Sequence, residues 1–252
     1  MSLTYTVHSD SRPKLLEQLA QHGIPEGSCR IYKGRNSLYA IPDPEGDGRL
    51  NIKDFHRPSF PNNIVYTNLR LSKARRSFEN ATRLLEMGFL TPEPIGWAEV
   101  KSGIRLTRSY YVSQQLEDVD TVRDWERFPD CDRLLHALAG LMARLFETGV
   151  WHKDFSPGNI LFRRRGEEYE FYLVDVNRME FDIKSRAKLM GFFRCITLQP
   201  DQTRRLARHY AEVTGQNPET IEREAIAQLE KYQAEKARHR LLKRFTRREK
   251  KK

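Results

Sequence analysis

Cysteine is scarce in this sequence, long apolar runs are missing, and no unit repeats. The three cysteines, Cys29, Cys131 and Cys195, stand far apart in 252 residues. Their odd number and wide spacing exclude a CxxC zinc or redox motif and speak against a disulfide framework. No stretch reaches the roughly 18 uninterrupted apolar residues of a membrane span. The longest candidate, 134–146, is broken by His136 and Arg144. The opening MSLTYTVHSDSRPK has no apolar segment behind a basic patch, so no secretion signal is expected. No self-similarity appears at solenoid period. A chain working in a reducing cytoplasm is the expectation.

Acidic charge is short only at one end. Lys plus Arg number 44 against 34 Asp plus Glu, a net charge of +10. Residues 231–252 hold 11 of those basic residues and only Glu235 and Glu249, so the first 230 are nearly neutral, with 33 basic and 32 acidic. The basic character is that of a tail, not of the whole surface. Aromatics are plentiful, with 13 Phe, 10 Tyr and 3 Trp. That argues against disorder and for a core able to sustain one domain or two lobes.

The pattern of the first half predicts strands with one helix. The runs 30–41 and 49–55 are apolar-rich and separated by DPEGDG, which is turn chemistry. A helix is predicted over 71–87, with Leu71, Ala74, Phe78, Ala81 and Leu85 as its apolar stripe and Gly88 closing it. Extended segments follow from Pro92 to Val100 and from Ile104 to Val112. The second half reads as mostly helical: a buried helix over 131–148, short strands near 159–162 and 170–176, a helix over 200–214, and a last helix opened by Asn217-Pro218. The domains expected are 1–112, 113–230 and a basic tail 231–252.

The strongest chemical signal is WHKDFSPGNILF at 151–162, containing His152-x-Asp154 and then Asn159. Asp175 follows at the end of the apolar run FYLVD. This is the order of a kinase catalytic loop, here 152–159, followed by a metal-binding aspartate. One carboxylate must take or orient the proton of an attacking hydroxyl, which suits Asp154. A carboxylate and an amide oxygen must hold Mg²⁺ against phosphates, which suits Asp175 and Asn159. Upstream, Lys53 lies in the predicted strand RLNIKDF, where a kinase places its phosphate-reaching lysine. Glu79 is the expected ion-pair partner of Lys53, ahead of Glu86, whose charge opposes the dipole of the last helical turn. The turn Lys33, Gly34, Arg35 and Asn36 is expected to cover the phosphates with a single glycine. The segment 113–116, with Gln114 and Gln115, is expected to meet adenine through its backbone.

Lys53, Glu79, WHKDFSPGNILF and YLVDVNR together resemble the lipopolysaccharide kinase family. That resemblance implies an α+β, bilobal protein-kinase-like fold: an antiparallel-sheet N-lobe with one main helix and a small, mostly helical C-lobe. It also implies ATP and Mg²⁺ as cofactors and a Kdo or heptose hydroxyl of the lipopolysaccharide inner core as acceptor. Asp-Val-Asn replaces the Asp-Phe-Gly of protein kinases, and no Ala-Pro-Glu follows, which favours a small-molecule or glycolipid acceptor over a peptide. An atypical RIO-like protein kinase and a non-catalytic nucleotide- or RNA-binding kinase fold are the alternatives. The tail, with Ile221, Ala225, Leu229 and Tyr232 at helical spacing and Leu241, Leu242 and Phe245 beyond, is expected to lie on an anionic membrane surface, with nucleic acid as the second choice. A peripheral location on the inner face of the cytoplasmic membrane follows from that expectation.

Overall fold

A computed structural model describes residues 3–56, 71–197 and 199–249, with side chains to residue 242. The chain divides into two compact units. The first is 1–119 together with 172–178, and the second is 120–171 together with 179–252. The first therefore runs past the expected boundary at 112 and takes up the segment 172–178 that carries Asp175.

The first unit opens with β1 (Leu3–His8), α1 (Pro13–His22), β2 (Cys29–Lys33), β3 (Ser37–Pro42) and β4 (Arg49–Asp54). It continues with α2 (Lys73–Glu86), β5 (Pro94–Ser102) and β6 (Arg105–Gln114). The strands form one sheet in the order β1-β5-β6-β4-β3-β2, its pairs antiparallel. Alternation sorts β4 onto two faces. Leu50 and Ile52 point to a core shared with Ala98, Val100, Tyr110 and Val112 and covered by Leu15, Leu16 and Leu19 of α1. Lys53 and Phe55 fall on the opposite face, where Lys53 pairs in register with Tyr111 and Tyr111 with Trp97. Helix α2 covers that face: the Arg75 guanidinium lies 5.5 Å from the Trp97 ring, and His8 stacks on Trp97 and meets Phe78 edge-on.

Strand β1 and helix α1 were not legible in the pattern, so the sheet has a helix on each face instead of one main helix. The signals for α1 were Pro13 in its first turn, the stripe Leu15-Leu16-Leu19-Ala20, and Gly23 at its end with φ 87°. Helix α2 starts at its cap Ser72, whose hydroxyl accepts the Arg75 N–H, two residues later than expected.

The second unit contains β7 (Asp120–Thr121), α3 (Cys131–Glu147), β8 (Trp151–His152), β9 (Ile160–Arg165), most of β10 (Glu168–Leu173) and β11 (Met179–Glu180). Helices α4 (Arg186–Leu189), α5 (Pro200–Thr214) and α6 (Pro218–Glu249) complete it. Helix α3 buries Leu134, Leu135, Leu138 and Met142, and α5 packs on it. Helix α6 packs on α5 and on the turn 190–194 through Ile221, Ala225 and Leu229, all fully buried.

Gly149 sets the entry to β8. Its φ is +67°, and a Cβ there would lie 2.8 Å from the Ile183 carbonyl oxygen, while its own carbonyl accepts the Ile183 N–H. Both the backbone conformation and the close approach demand glycine. Gly149→Ala should therefore destabilise the protein by roughly 1–3 kcal/mol in denaturant unfolding. Unchanged stability would contradict this reading of the turn.

Candidate active site

The segment from β8 to β9 carries the catalytic-loop residues of the second unit. Strand β8 pairs with β11, Met179 opposite His152 and Glu180 opposite Trp151. His152 is fully buried, and its Nδ1 accepts the N–H of Asp154 at 3.1 Å. The neutral imidazole thus carries its proton on Nε2 and serves as a strut for the loop. The Asp154 carbonyl accepts from the Ser156 N–H at 2.7 Å and from Asn159 Nδ2 at 2.8 Å. Asn159 Oδ1 is left with no partner among the described residues.

Between these fixed points, Phe155 is buried against Phe192 with ring centroids 4.7 Å apart, anchoring the loop from below. The Cys195 thiol donates to the Phe155 carbonyl at 3.4 Å. Burial, and after it the Asp154 charge, pushes that thiol up to about 11, so it remains a protonated donor at neutral pH. The Asp154 carboxylate is half-buried, and no hydrogen bond or ion pair reaches it among the described residues. A carboxylate held by its backbone with its oxygens uncommitted is arranged to accept a proton from something that binds.

The first unit, by itself, holds Lys53 and Asp175. Lys53 Nζ donates to Asp175 Oδ1 at 2.5 Å, joining residues 122 positions apart in the chain. Asn177 Nδ2 donates to the same oxygen at 2.6 Å. Asp175 has φ +58°, a left-handed conformation unusual outside glycine. Such strain persists where surrounding contacts over-determine it, and it concentrates at functional sites. One of those contacts is Asn80 of α2, whose Nδ2 donates to the Val176 carbonyl at 2.7 Å and ties the helix to the Asp175 turn.

Glu79 does not pair with Lys53. It is exposed, and its carboxylate takes the Arg75 guanidinium at 2.7 Å on its own helix. The cause is a phase error in the apolar stripe. The structure buries Ala74, Ser77, Ala81 and Leu84, while Leu71 and Leu85 are exposed. Each residue rotates a helix by about 100°, so moving the stripe by one position turns Glu79 out and Asn80 in. Ser77 can be buried because its hydroxyl donates to the Lys73 carbonyl at 2.8 Å.

The expected adenine contacts also change. The Gln114 N–H donates to the Glu93 carbonyl at 2.8 Å and the Gln115 N–H to the Arg49 carbonyl at 2.9 Å, so both amides are spent within the sheet. The Gln115 side chain accepts from Asn51 at 2.7 Å and donates to the Leu116 carbonyl at 2.9 Å. In the β2–β3 turn, Lys33, Gly34 and Arg35 are exposed, the Gly34 N–H bonds the Asn36 carbonyl at 3.0 Å, and Asn36 Oδ1 accepts the His56 N–H at 3.3 Å. Asn80 and Cys195 were missed in the sequence, since no spacing rule singles out a residue whose partner is a main-chain carbonyl far away in the chain; Asn177 stood two residues past Asp175 but was read only as the replacement for a glycine, not as a partner of its carboxylate.

As to a metal, Asp175 offers a carboxylate and Asn159 an amide oxygen. These are the hard oxygen donors that Mg²⁺ takes, and nitrogen or sulfur ligands suited to zinc are lacking at both positions. The donor chemistry fits Mg²⁺.

A family model described as the lipopolysaccharide kinase (Kdo/WaaP) family matches residues 48–193. A 3-deoxy-D-manno-octulosonic acid kinase of Mannheimia succiniciproducens is 21% identical over 163 residues, 58% of this chain and 64% of that protein. The match thus spans a little under two thirds of the relative's length. The solved structure of WaaP in complex with acyl carrier protein has the same protein-kinase-like fold, with TM-score 0.56 and 17% identity over 93% of this chain and 98% of that one. The Rio2 kinase of Chaetomium thermophilum, solved as an ADP/Mg²⁺-phosphoaspartate complex, aligns with TM-score 0.47 and 21% identity over 87% of this chain and 76% of that one.

Proposed function

The chain belongs to the lipopolysaccharide kinase (Kdo/WaaP) family, and from that membership we propose that it transfers the γ-phosphoryl group of ATP to a hydroxyl of a lipopolysaccharide inner-core sugar, Kdo or heptose. The observation that carries this reading is the contact of Lys53 with Asp175, two residues singled out for phosphate and metal chemistry that the fold brings to 2.5 Å. The kinship with a 3-deoxy-D-manno-octulosonic acid kinase supports Kdo as the first acceptor to assay.

In the proposed reaction, Asp154 accepts the proton of the acceptor hydroxyl as its oxygen attacks the γ-phosphorus. The bond from that phosphorus to the β–γ bridging oxygen breaks, and ADP leaves with the electron pair. Such a transition state is loose, so orientation and charge compensation supply most of the acceleration. Lys53 positions the phosphates, and Asp175 and Asn159 are the proposed metal ligands. Bound Mg²⁺ would neutralise charge developing on the β- and γ-phosphate oxygens. The turn 33–36 is proposed to lie over the phosphates, and Leu116 replaces Gln114 and Gln115 as the proposed backbone donor to adenine. Purified protein offered Kdo-terminated core, heptose-terminated core, a generic protein substrate and RNA should turn over ATP with one of the two sugars. Turnover with protein or RNA alone would overturn the proposal.

Membrane attachment through the tail forms part of the same proposal, in reduced form. The stripe Ile221-Ala225-Leu229 is consumed inside the second unit. Arg194 pairs with Glu235 and lies 5.8 Å from the Tyr232 ring, so Tyr232 and Glu235 also face the packed side of α6. The exposed tail residues include the basic Lys231, Lys236, Arg238 and Arg240, together with Leu241 and Leu242, which are 54% and 56% exposed. No described helix is long and apolar enough to cross a membrane. Phe245 lies outside the described side chains. Each basic residue near an anionic surface contributes about 1 kcal/mol. Truncation after Ala237 should abolish co-sedimentation with phosphatidylglycerol-containing vesicles while leaving the thermal midpoint unchanged. Vesicle binding that survives truncation would contradict a role for the tail.

A further inference from the structure

Lys73, the first residue of α2, has an ammonium group with no ion-pair partner among the described residues. Its side chain is half-buried, and Nζ lies 5.9 Å from the centre of the Phe55 ring. Lys53 Nζ lies over the same ring at 5.3 Å. The Lys53 charge is matched by Asp175 at 2.5 Å. No hydrogen bond or ion pair reaches the Lys73 ammonium among the described residues. Nor can residues 57–70 supply a counter-charge, because they contain no Asp or Glu.

The neighbourhood is strongly positive. Burial, followed by the charges of Arg35, Arg76 and Lys53, pushes the Lys73 ammonium below the usual lysine range, against the opposing pull of Asp175. A partly desolvated cation set among other cations costs stability unless an anion joins it. Arg35 stands in the β2–β3 turn and Lys73 at the start of α2, and the charges of Arg35 and Asp175 are both felt at Lys73. All of these groups belong to the first unit.

We propose that Lys73 is a second phosphate-binding lysine, contacting the terminal phosphates of the nucleotide together with Arg35 while Lys53 holds Asp175. The proposal rests on the kinase reading and goes beyond it by assigning a binding role to a residue outside the catalytic-loop and Asp175 motifs. It divides the labour of two lysines. Lys53 has its charge matched by a carboxylate of the protein, and Lys73 has its charge available to the ligand. The chemistry recognised is an oligophosphate, which ATP supplies through its tail and a phosphorylated acceptor would supply through its own esters.

The test is a titration of full-length protein by calorimetry with ATP, ADP, AMP and inorganic tripolyphosphate, with Mg²⁺ present, using wild type, Lys73→Met and Lys73→Arg. Methionine keeps the packing on Phe55 and removes the charge. Lys73→Met should weaken ATP and tripolyphosphate about tenfold or more, the scale of one charge-assisted hydrogen bond. AMP affinity should stay within a factor of about two, and Lys73→Arg should recover most of the loss. The thermal midpoint without ligand should not fall. Equal ATP affinity in wild type and Lys73→Met would overturn the assignment while leaving the kinase reading intact. Parallel loss of ATP and AMP, or a lower midpoint, would show a structural role instead and also overturn it. Wild-type protein that binds none of the four ligands would overturn both. Normal ATP affinity combined with loss of a phosphorylated acceptor would place the lysine on the acceptor and contradict the nucleotide assignment.

Discussion

Asp154→Asn should fold, bind ATP and lose at least about a hundredfold in phosphoryl transfer. The fold should survive because every contact that shapes the loop at this position comes from the main chain. The Asp154 N–H meets His152 Nδ1, and its carbonyl meets Ser156 and Asn159, while the carboxylate itself supports nothing among the described residues. An asparagine preserves size and shape and removes only the basic oxygen. The loss should therefore appear in kcat, with KM for ATP nearly unchanged, as expected for an interaction made in the transition state. A variant that melts several degrees lower, or that keeps near-native kcat, would contradict the assignment of Asp154 as proton acceptor.

Asp175→Ala should abolish Mg²⁺-dependent ATP binding, the second large effect. It removes the proposed metal ligand and at the same time strips Lys53 of the carboxylate that its ammonium meets at 2.5 Å. An uncompensated, largely buried ammonium is then left near the phosphate subsite. Binding of ATP without metal should consequently weaken less than binding with it, because the freed lysine attracts phosphate while the metal bridge is lost. The alanine also relieves nothing at φ +58°, so Asp175→Asn, which tolerates that conformation better, is the control for backbone strain. ATP protection against unfolding that is equal in wild type and both variants, with Mg²⁺ present, would remove Asp175 from the site.

How legible all this was depended on how local the signal is. The catalytic loop stood out because its residues fall within a dozen positions and each acts through near neighbours: His152 on Asp154, Asn159 on Asp154. Helices α5 and α6 were placed by their ends, with Pro200 and Gly215 bounding one and Asn217 capping the other through the Thr220 N–H at 3.0 Å. The Lys53–Asp175 contact could be anticipated only by aligning two motifs, since nothing in either strand names its partner. Glu79 went wrong for a physical reason. Helix α2 has apolar residues on several sides, and Leu71 and Leu85 suggested a face one position away from the one that packs. Lys73 was invisible because a lysine opening a helix carries no pattern. Its meaning comes from which charges surround it and which do not.

The most direct measurement is the mass of a Kdo-terminated or heptose-terminated core oligosaccharide after incubation with ATP, Mg²⁺ and full-length protein, run beside Asp154→Asn. The expected result is a single added phosphoryl group on one of the two acceptors, formed by wild type and nearly absent with the variant. An unmodified acceptor in both cases despite ATP binding, or equal phosphorylation by wild type and Asp154→Asn, would contradict the assignment of this chain as a core-sugar kinase acting through Asp154.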